Sequence, residues 1–460
     1  MDNAQHAVPF TVTLIFAGIL VAMVLSLALE EKIHAQKSLI TGVFAVISLL
    51  AAAALHLLPM GSVTNVFGES LALPVYIPAI DWGVITIIFG SSLFIDVTSK
   101  SGLFTWIAIK LTKASKGDPV TLLTYYGVMT VVFSAVLNNV TAMIIVGSLS
   151  AVSLGKLKRG DKLLGFLLIE GLLTNIGGLL TLISSVPNII VGTAAGISFL
   201  EFFIKAAPYV VVATYVTIVM GRRVFKIEAL KDDTDKAEAL SLVEGFDEND
   251  GIHSRGFFVG SCVMTGLFVV AIATASVTPI ISSLGMGFVA MAFAVVMLLR
   301  FKSKVDQFYK ALDWDLLLFF MFLFVVINVM EHAQVLGLIG QGLALLIDLG
   351  PQLGVGSTLI SAAGFSAVTD NIPLAAMLAK ILTSLGTEGD SGLWWAVIFG
   401  ANLGGNITPI GSASTVVAVT IMHKHKLKMS FIGFVKAAVP FAVVQITLAV
   451  VYVIFIVPSL

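Results

Sequence analysis

Long runs of apolar residues alternate with short polar connections along the whole chain. A bilayer core needs roughly 20 apolar residues per helix. The runs that approach or exceed this length predict membrane helices at 10–29, 39–59, 82–99, 163–183, 204–221, 257–276, 279–299, 314–331 and 432–457. Further apolar stretches are interrupted by Gly, Pro, Asn or Asp, at 118–155, 172–195, 354–387 and 392–421. The pattern predicts an all-α polytopic membrane protein in which some helices are broken.

Two of these interruptions resemble each other. FSAVLNNVTAM (133–143) and FSAVTDNIPLA (365–375) begin with the same four residues and lie 232 positions apart. Three other matches follow in the same order, namely Asp81–Trp82 with Asp313–Trp314, TNIGGLLTLISS (174–185) with ANLGGNITPIGS (401–412), and SFLEFFIKAAP (198–208) with SFIGFVKAAVP (430–440). Four ordered matches indicate an internal duplication.

Lys and Arg in the short loops predict how the two copies are oriented. The positive loops are 31–37, 110–116, 156–162, 222–226, 300–310 and 423–428, and the loops that correspond to them in the other copy carry no Lys or Arg. Equivalent loops therefore lie on opposite faces, as two inverted-topology repeats require. We expect repeats at 1–221 and 257–460, joined by a cytoplasmic linker at 222–256, with both termini outside.

Each repeat is expected to cross the membrane five times, which gives about 10 spanning segments. Re-entrant helical hairpins are predicted at 118–155 and 354–387, and broken helices at 163–195 and 392–421. Irregular backbone at membrane depth is tolerated only where protein or a water-filled cavity covers it. Matching breaks in two inverted halves are typical of secondary transporters, with the site near the midplane.

Polar residues at the hairpin tips and helix breaks are the candidate substrate- or ion-binding groups. They are Asn138, Asn139, Thr141, Asn175, Ser184, Ser185, Asn188, Asp370, Asn371, Asn402, Thr408, Ser412 and Ser414. Helix N-termini there would suit anions, whereas helix C-termini and unwound carbonyls would suit Na⁺. The alternative is that the amides only cap helix ends and the hydroxyl residues only allow close packing.

Asp370 stands out because an ionisable side chain inside a membrane segment is costly and is a functional candidate by default. It could bind Na⁺, carry a proton or pair with another residue, and the other copy has neutral Asn138 instead. A Na⁺ site is conceivable near Asn139, Asp370 and Asn371. Asp96 and Glu170 are further acids inside apolar runs, and Asp81 and Asp313 are expected to cap helices.

Composition agrees with a lipid environment. Of 460 residues, 58% are hydrophobic and 12% are charged, with a mean hydropathy of +1.03; soluble domains carry about 25% charge. A net charge of −1 and the absence of a basic tract argue against nucleic acid as a partner. The single cysteine, Cys262, excludes a disulfide framework and is interpreted as a packing residue.

The motifs NNVTAM, TNIGG, SAVTDNIP and GANLGGNITPIGSAS resemble the ion transporter superfamily, specifically its ArsB/NhaD-type permeases. This branch holds arsenite permeases, sodium–proton antiporters and the melanosomal P protein, and shares a citrate-transporter-like domain. The resemblance implies an elevator-type transporter, often a homodimer, in a bacterial inner membrane. Two departures, ISSVPN (183–188) in place of G-D-P-P-N and Asn138 in place of Asp, reduce the number of acids expected at the site.

The leading hypothesis is a secondary transporter that exchanges a cation such as Na⁺ for protons, with Asp370 alternating between the two. The alternative is an arsenite-like or other anion permease, or a carboxylate transporter coupled to Na⁺ or H⁺. No zinc-protease motif, nucleophile elbow or Walker A pattern is present, so we expect neither an enzyme nor an ATP-driven pump. No cofactor is expected beyond a coupling Na⁺ or H⁺.

Overall fold

The computed structural model describes residues 8–59, 62–64 and 68–460. The helices that precede the first hairpin are α1 (Phe10–Ala28), α2 (Glu30–Ile33), α3 (Lys37–Ala54), α4 (Tyr76–Ala79), α5 (Trp82–Ser99) and α6 (Leu103–Ala114). The first half continues with α7 (Pro119–Val136), α8 (Asn139–Lys156), α9 (Leu163–Gly177), α10 (Val186–Ala195) and α11 (Phe199–Val224).

After the linker helix α12 (Asp233–Glu244), the second half contains a matching succession of elements. Its first helices are α13 (Arg255–Ala273), α14 (Pro279–Leu298), α15 (Asp306–Ala311), α16 (Trp314–His332) and α17 (Val335–Ile347). They are followed by α18 (Pro351–Ser366), α19 (Asn371–Ser384), α20 (Gly392–Gly404), α21 (Ala413–Lys424) and α22 (Phe431–Phe455). Short 3₁₀ turns lie at Gly160–Lys162, Leu299–Phe301 and Val457–Ser459.

The series α5 to α11 recurs as α16 to α22. The spacing between corresponding first residues is 232 for α5, α6, α7, α8 and α11, as the motif spacing predicts, and is shorter for the two helix pairs around the breaks. Packing is also reciprocal, because α3 lies along α16 and α14 lies along α5. In the same way, α8 contacts α21 and α10 contacts α19.

Within the described residues, ten helices are long and apolar enough to cross a membrane. This agrees with the expected number of spans, although the set differs. The hairpin arms α7 and α8 qualify by length, whereas α9, α10, α20 and α21 do not, because the breaks shorten each of them. The N-caps were predicted correctly, since Asp81 accepts a hydrogen bond from Val84 N at 3.1 Å and Asp313 from Leu316 N at 3.0 Å.

One expectation needs correction. The protein is mostly helical rather than all-α, because strand β1 (Ser62–Thr64) pairs antiparallel with strand β2 (Ser70–Ala72). This pairing satisfies backbone groups in the connection between α3 and α4. The linker 222–256 has structure of its own, since it forms α12 and buries Ile227, Ala239 and Val243. The Asp118 carboxylate, which caps α7, also accepts a hydrogen bond from Leu230 N at 2.9 Å.

Candidate functional site

Both hairpins turn at their paired polar residues. In the first, α7 ends at Val136, and the Asn138 side chain caps α8 by accepting a hydrogen bond from Thr141 N at 2.8 Å. In the second, the Asp370 side chain caps α19 by accepting from Ile372 N at 3.0 Å. Asn138 and Asp370 therefore each satisfy an otherwise unpaired N–H group at a helix start.

Each break is tied to the hairpin of its own half by equivalent hydrogen bonds. Thr181 Oγ1 donates to the carbonyl of Ala135 at 2.5 Å, and Thr408 Oγ1 donates to the carbonyl of Ala367 at 2.6 Å. These threonines satisfy carbonyls at the ends of the first hairpin arms. Thr408 therefore has a demonstrated structural partner, unlike the substrate contact predicted for it.

A second set of bonds crosses between the halves. Asn175 Nδ2 on α9 donates to Ser412 Oγ at 2.9 Å, where α21 begins. Ser185 Oγ, where α10 begins, donates to Asn402 Oδ1 on α20 at 2.8 Å. In each bond, the amide lies just before the break of one half and the hydroxyl lies just after the break of the other half.

Around Asn175 the crossing bond belongs to a larger buried network. Asn139 Nδ2 donates to Asn175 Oδ1 at 3.2 Å, and Ser414 Oγ donates to the same oxygen at 3.1 Å. Asn175 Nδ2 also donates to Asn406 Oδ1 at 2.8 Å, and Asn406 Nδ2 donates to Gln445 Oε1 at 2.8 Å. Asn406 and Gln445 are site residues that the sequence reasoning missed. Asn406 lies within the repeated motif GANLGGNITPIGSAS, and Gln445 is an isolated amide in an apolar run.

A comparable network surrounds Asn402, and most of its partners lie at the first break. Asn402 Nδ2 donates to Asn188 Oδ1 at 2.8 Å, and Asn188 Nδ2 donates to the carbonyl of Gly178 at 2.6 Å. Ser184 Oγ donates to that same carbonyl at 2.6 Å. Asn188 and Ser184 thus satisfy the unwound backbone after α9, which is the capping role that the sequence left open.

A cavity of about 570 Å³ lies against this network. The predicted residues that line it are Asn138, Asn139, Thr141, Ser184, Ser185, Asn371, Ser412 and Ser414. Asn175, Asn188, Asn402 and Thr408 are buried behind this wall, and Asp370 is not part of the lining. Among the described residues, the Asn371 side chain makes no hydrogen bond, although Asn139 at the corresponding position makes two.

Several helices begin at the cavity wall. First-turn residues of α8, α10, α19 and α21 all line it, from both halves of the chain. The first N–H groups of a helix lack partners within the helix, and the helix dipole is positive at that end. The wall formed by these N-termini therefore offers polarised donors but no charged side chain.

Charged side chains lie on another part of the lining, which holds Lys37, Asp96, Asp313 and Asp315. Lys37 Nζ is 2.5 Å from Asp370 Oδ2, and the side chains are 26% and 13% exposed. Asp315 Oδ1 accepts a hydrogen bond from Ser38 N at 3.0 Å at the start of α3. Sequence reasoning did not identify Lys37, because it assigned 31–37 to an orienting loop.

The Na⁺ site suggested near Asn139, Asp370 and Asn371 stays a prediction. Asn371 faces the cavity, Asn139 is held by Ser134 and Asn175, and one Asp370 oxygen faces Lys37. Within the described ranges, no group of three or more His, Cys, Asp or Glu side chains could hold a metal ion.

Comparison with known proteins places these features in a family. Residues 38–400 match the citrate transporter family. A 46 kDa membrane protein of Mycobacterium leprae is 29% identical over 378 residues, covering 81% of this chain and 86% of that protein. An uncharacterized transporter of Mycobacterium tuberculosis is 30% identical over 380 residues, with the same coverage.

More distant similarities agree with this result. The human P protein is 24% identical over 505 aligned residues, which cover 92% of this chain and 60% of that protein. The crystal structure of the YdaH transporter of Alcanivorax borkumensis superposes with a TM-score of 0.59 at 13% identity, covering 91% of this chain and 98% of that one. The last similarity shows the fold alone. The narrower ArsB/NhaD assignment stays a prediction.

The apolar helices, the paired breaks around one cavity and the match over most of its length lead to one conclusion: the chain belongs to the citrate transporter family and is a multi-pass membrane protein that acts as a secondary transporter.

Proposed function

We propose that the protein transports a small carboxylate or other small anion, bound in the cavity between the N-termini of α8, α10, α19 and α21. The observation that carries this proposal is the convergence of these N-termini on one cavity wall. Helix N-termini bind anions through free N–H groups and the positive dipole end. A volume of about 570 Å³ falls within the range of about 300–1,000 Å³ typical of small-molecule sites.

Lys37 and Asn371 would complete the anion site. Lys37 is the one cation on the cavity lining in the described part of the chain, and its charge suits a carboxylate. The amide of Asn371, free of protein partners among the described residues, can donate to an oxygen of the substrate. Asp370 would neutralise Lys37 when no substrate is bound.

The test is uptake of radiolabelled citrate by proteoliposomes that contain the purified protein, with and without gradients of Na⁺ and H⁺. We expect uptake that needs one of these gradients and is reduced by other small carboxylates. A protein that moves protons in response to Na⁺ or Li⁺ but moves no carboxylate or oxyanion would overturn the proposal.

The second candidate is the cation–proton antiport that leads the sequence hypotheses. It is favoured by Asp96, Asp313 and Asp315, whose carboxylates line the cavity. Among the described residues, the Asp96 side chain has no ion-pair or hydrogen-bond partner, which makes it a better candidate than Asp370 for exchanging a cation and a proton. In the same proteoliposomes, this candidate predicts proton release on addition of Na⁺ that is lost in Asp96→Asn.

We also propose that the two halves are inverted repeats and that transport follows an elevator mechanism. The two hairpins and broken helices pack on one another through the crossing bonds, whereas α3, α5, α14 and α16 pack in pairs beside them. Movement of the first group against the second would carry the cavity across the membrane. The homodimer, the inner-membrane location and the outside termini stay predictions.

A further inference from the structure

Glu170 is the one fully buried carboxylate among the described residues, and no part of the proposed transport site uses it. It lies on α9, five residues before Asn175. Ser150 Oγ of α8 donates a hydrogen bond to Glu170 Oε1, and Oε2 has no hydrogen-bond partner within the described structure. A buried carboxylate with one donor and no counter-ion is strongly disfavoured as an anion.

The helices packed against α9 supply no charge to balance it. These helices are α7, α8, α11, α20 and α21. Their titratable side chains are Tyr125 and Tyr126 of α7, Lys156 of α8, Glu201, Lys205, Tyr209, Tyr215, Arg222 and Arg223 of α11, and His423 and Lys424 of α21, and the turn before α9 adds Asp161 and Lys162. The basic residues lie near helix ends, and none of the described ones forms an ion pair with Glu170. This environment favours the neutral, protonated form of the carboxyl group.

A row of buried hydroxyl groups starts at this carboxyl group. Ser153 lies one helical turn beyond Ser150, on the same face of α8. The Tyr126 hydroxyl is 2.7 Å from Ser153 Oγ and 2.6 Å from Thr112 Oγ1. Each hydroxyl can both donate and accept a hydrogen bond, as a proton relay requires.

The row leads toward the ends of α6 and α8 that carry basic residues. Ser115 Oγ donates to the carbonyl of Thr112 at 2.6 Å, and Lys116 follows it. Lys156, the last residue of α8, lies two turns beyond Ser150 at most. The hydroxyl row thus extends from the buried carboxyl group toward the basic ends of these two helices.

We infer that Glu170 is a reversible proton-binding site, reached through this hydroxyl row, and that its proton accompanies the substrate during transport. On release, an O–H bond of the carboxyl group breaks, the proton passes to the hydroxyl row and then to water, and the carboxylate remains. The role in transport rests on the proposed function, whereas proton binding does not.

Infrared difference spectroscopy of the protein in lipid tests proton binding directly. Between about pH 5 and about pH 9, a range that brackets the common titrations of carboxyl groups and histidine, we expect a carboxylic acid carbonyl band to disappear reversibly. The band should be absent in Glu170→Gln and retained in Glu331→Gln, a control in which the altered carboxylate pairs with Lys380. A wild-type spectrum without a band assignable to Glu170, or a band that does not titrate, would overturn the inference.

Ser150→Ala provides a second variant if Glu170→Gln does not fold. Removing the donor to the carboxylate disfavours the charged form, so the midpoint of the titration should move to higher pH. An unchanged midpoint would contradict the assignment to Glu170.

Transport in proteoliposomes tests coupling. Glu170→Gln should retain exchange of radiolabelled citrate across the membrane but lose accumulation driven by a pH gradient. A variant that still accumulates citrate in response to that gradient would overturn the coupling role. If the wild type moves no citrate, the proposed function fails, and the infrared titration still decides whether Glu170 binds a proton.

Discussion

Lys37 Nζ lies 2.5 Å from Asp370 Oδ2, so an ion pair joins the first turn of α3 to the tip of the second hairpin, 333 positions away. Both side chains are largely shielded from solvent. Lys37 belongs to the cavity lining, whereas its partner Asp370 does not. The ionisable residue that is most prominent in the sequence is thus neutralised in this state.

Neutralising Lys37 and neutralising Asp370 should have opposite effects on anion transport. Lys37→Gln removes a charged donor, and a hydrogen bond to a charged group contributes about 1.5–3 kcal/mol, so KM for citrate should rise about tenfold or more. Asp370→Asn frees Lys37 and should lower KM. Uptake measured over a range of citrate concentrations checks both.

Lys380→Gln is the matched control, because Lys380 also pairs with an acid but does not line the cavity. It should leave KM unchanged. Complete loss of transport in Asp370→Asn, with retained activity in Lys37→Gln, would instead favour Asp370 as the carrier of a cation and a proton.

A covalent link between positions 37 and 370 should prevent an elevator movement. We expect a short thiol-reactive crosslinker to block transport in Lys37→Cys/Asp370→Cys, made in a Cys262→Ala background, because α3 and the second hairpin would no longer separate. Each single cysteine variant treated with the same reagent is the control. Full transport by a quantitatively crosslinked protein would contradict movement between these elements.

Asn139 and Asn371 occupy corresponding positions in the two halves, but we expect Asn139 to act in the hydrogen-bond network and Asn371 to contact the substrate. Asn139→Ala removes partners from Asn175 and Ser134, and should lower the free energy of unfolding by about 1–3 kcal/mol. Asn371→Ala removes no protein hydrogen bond among the described residues, so it should alter KM with little change in stability. Thermal unfolding and citrate uptake measured on the same preparations separate the two effects; equal stability losses would refute the distinction.

Gly177 should tolerate no side chain. A Cβ there would lie 2.6 Å from the carbonyl oxygen of Val131 and 2.9 Å from Ser134 Cβ, which would push α7 away from α9. Gly177→Ala should therefore destabilise the protein by about 1–3 kcal/mol, as overpacking does. In Gly155→Ala the new Cβ meets nothing within 4 Å, so this variant should be neutral or slightly stabilising.

The linker should detach from the membrane helices in acid or in high salt. Its Glu238 and Glu248 have pKa values held below the usual range, chiefly by hydrogen bonds from Lys158 and Lys110. Because these pKa values are lower in the folded state, the stabilisation is present above the ordinary glutamate pKa and is lost as pH falls through the lowered values. In that acidic range, hydrogen exchange of the backbone amides of α12 should become faster. High salt should have a similar effect at neutral pH.

Lys110→Gln should reproduce part of this acceleration at neutral pH without salt. Lys231→Gln, which removes a contact within the linker itself, is the control and should not. Exchange rates in α12 that are insensitive to both pH and salt would show that apolar packing alone holds the linker.

The helix order and the positions of both hairpin tips could be predicted from the repeated motifs. Asn, Asp, Gly and Pro interrupt apolar runs where the backbone turns or a helix begins or ends, which depends on local sequence. Helix caps such as Asp81 were predictable on the same ground. The partners across the molecule were not predictable. Nothing near Lys37 in the sequence points to Asp370, and the Asn406–Gln445 contact joins the break after α20 to α22.

The burial of the candidate residues could not be read from the sequence either. Asn175 and Asn139 are hydrogen-bonded to each other, but only Asn139 lines the cavity. Which amide faces the cavity depends on the rotation of each broken helix, and that rotation is set by packing against the other half of the chain.

The pairing of α3 with α16, and of α5 with α14, has a consequence for synthesis in the cell. More than half of the chain separates α3 from α16, so the ribosome must make most of the protein before α3 meets its partner. Until then the face of α3 that α16 will cover has to be shielded by lipid or by the insertion machinery. Chains truncated before α16 should therefore be recognised as incomplete and degraded, even though every helix of the first half has already been inserted.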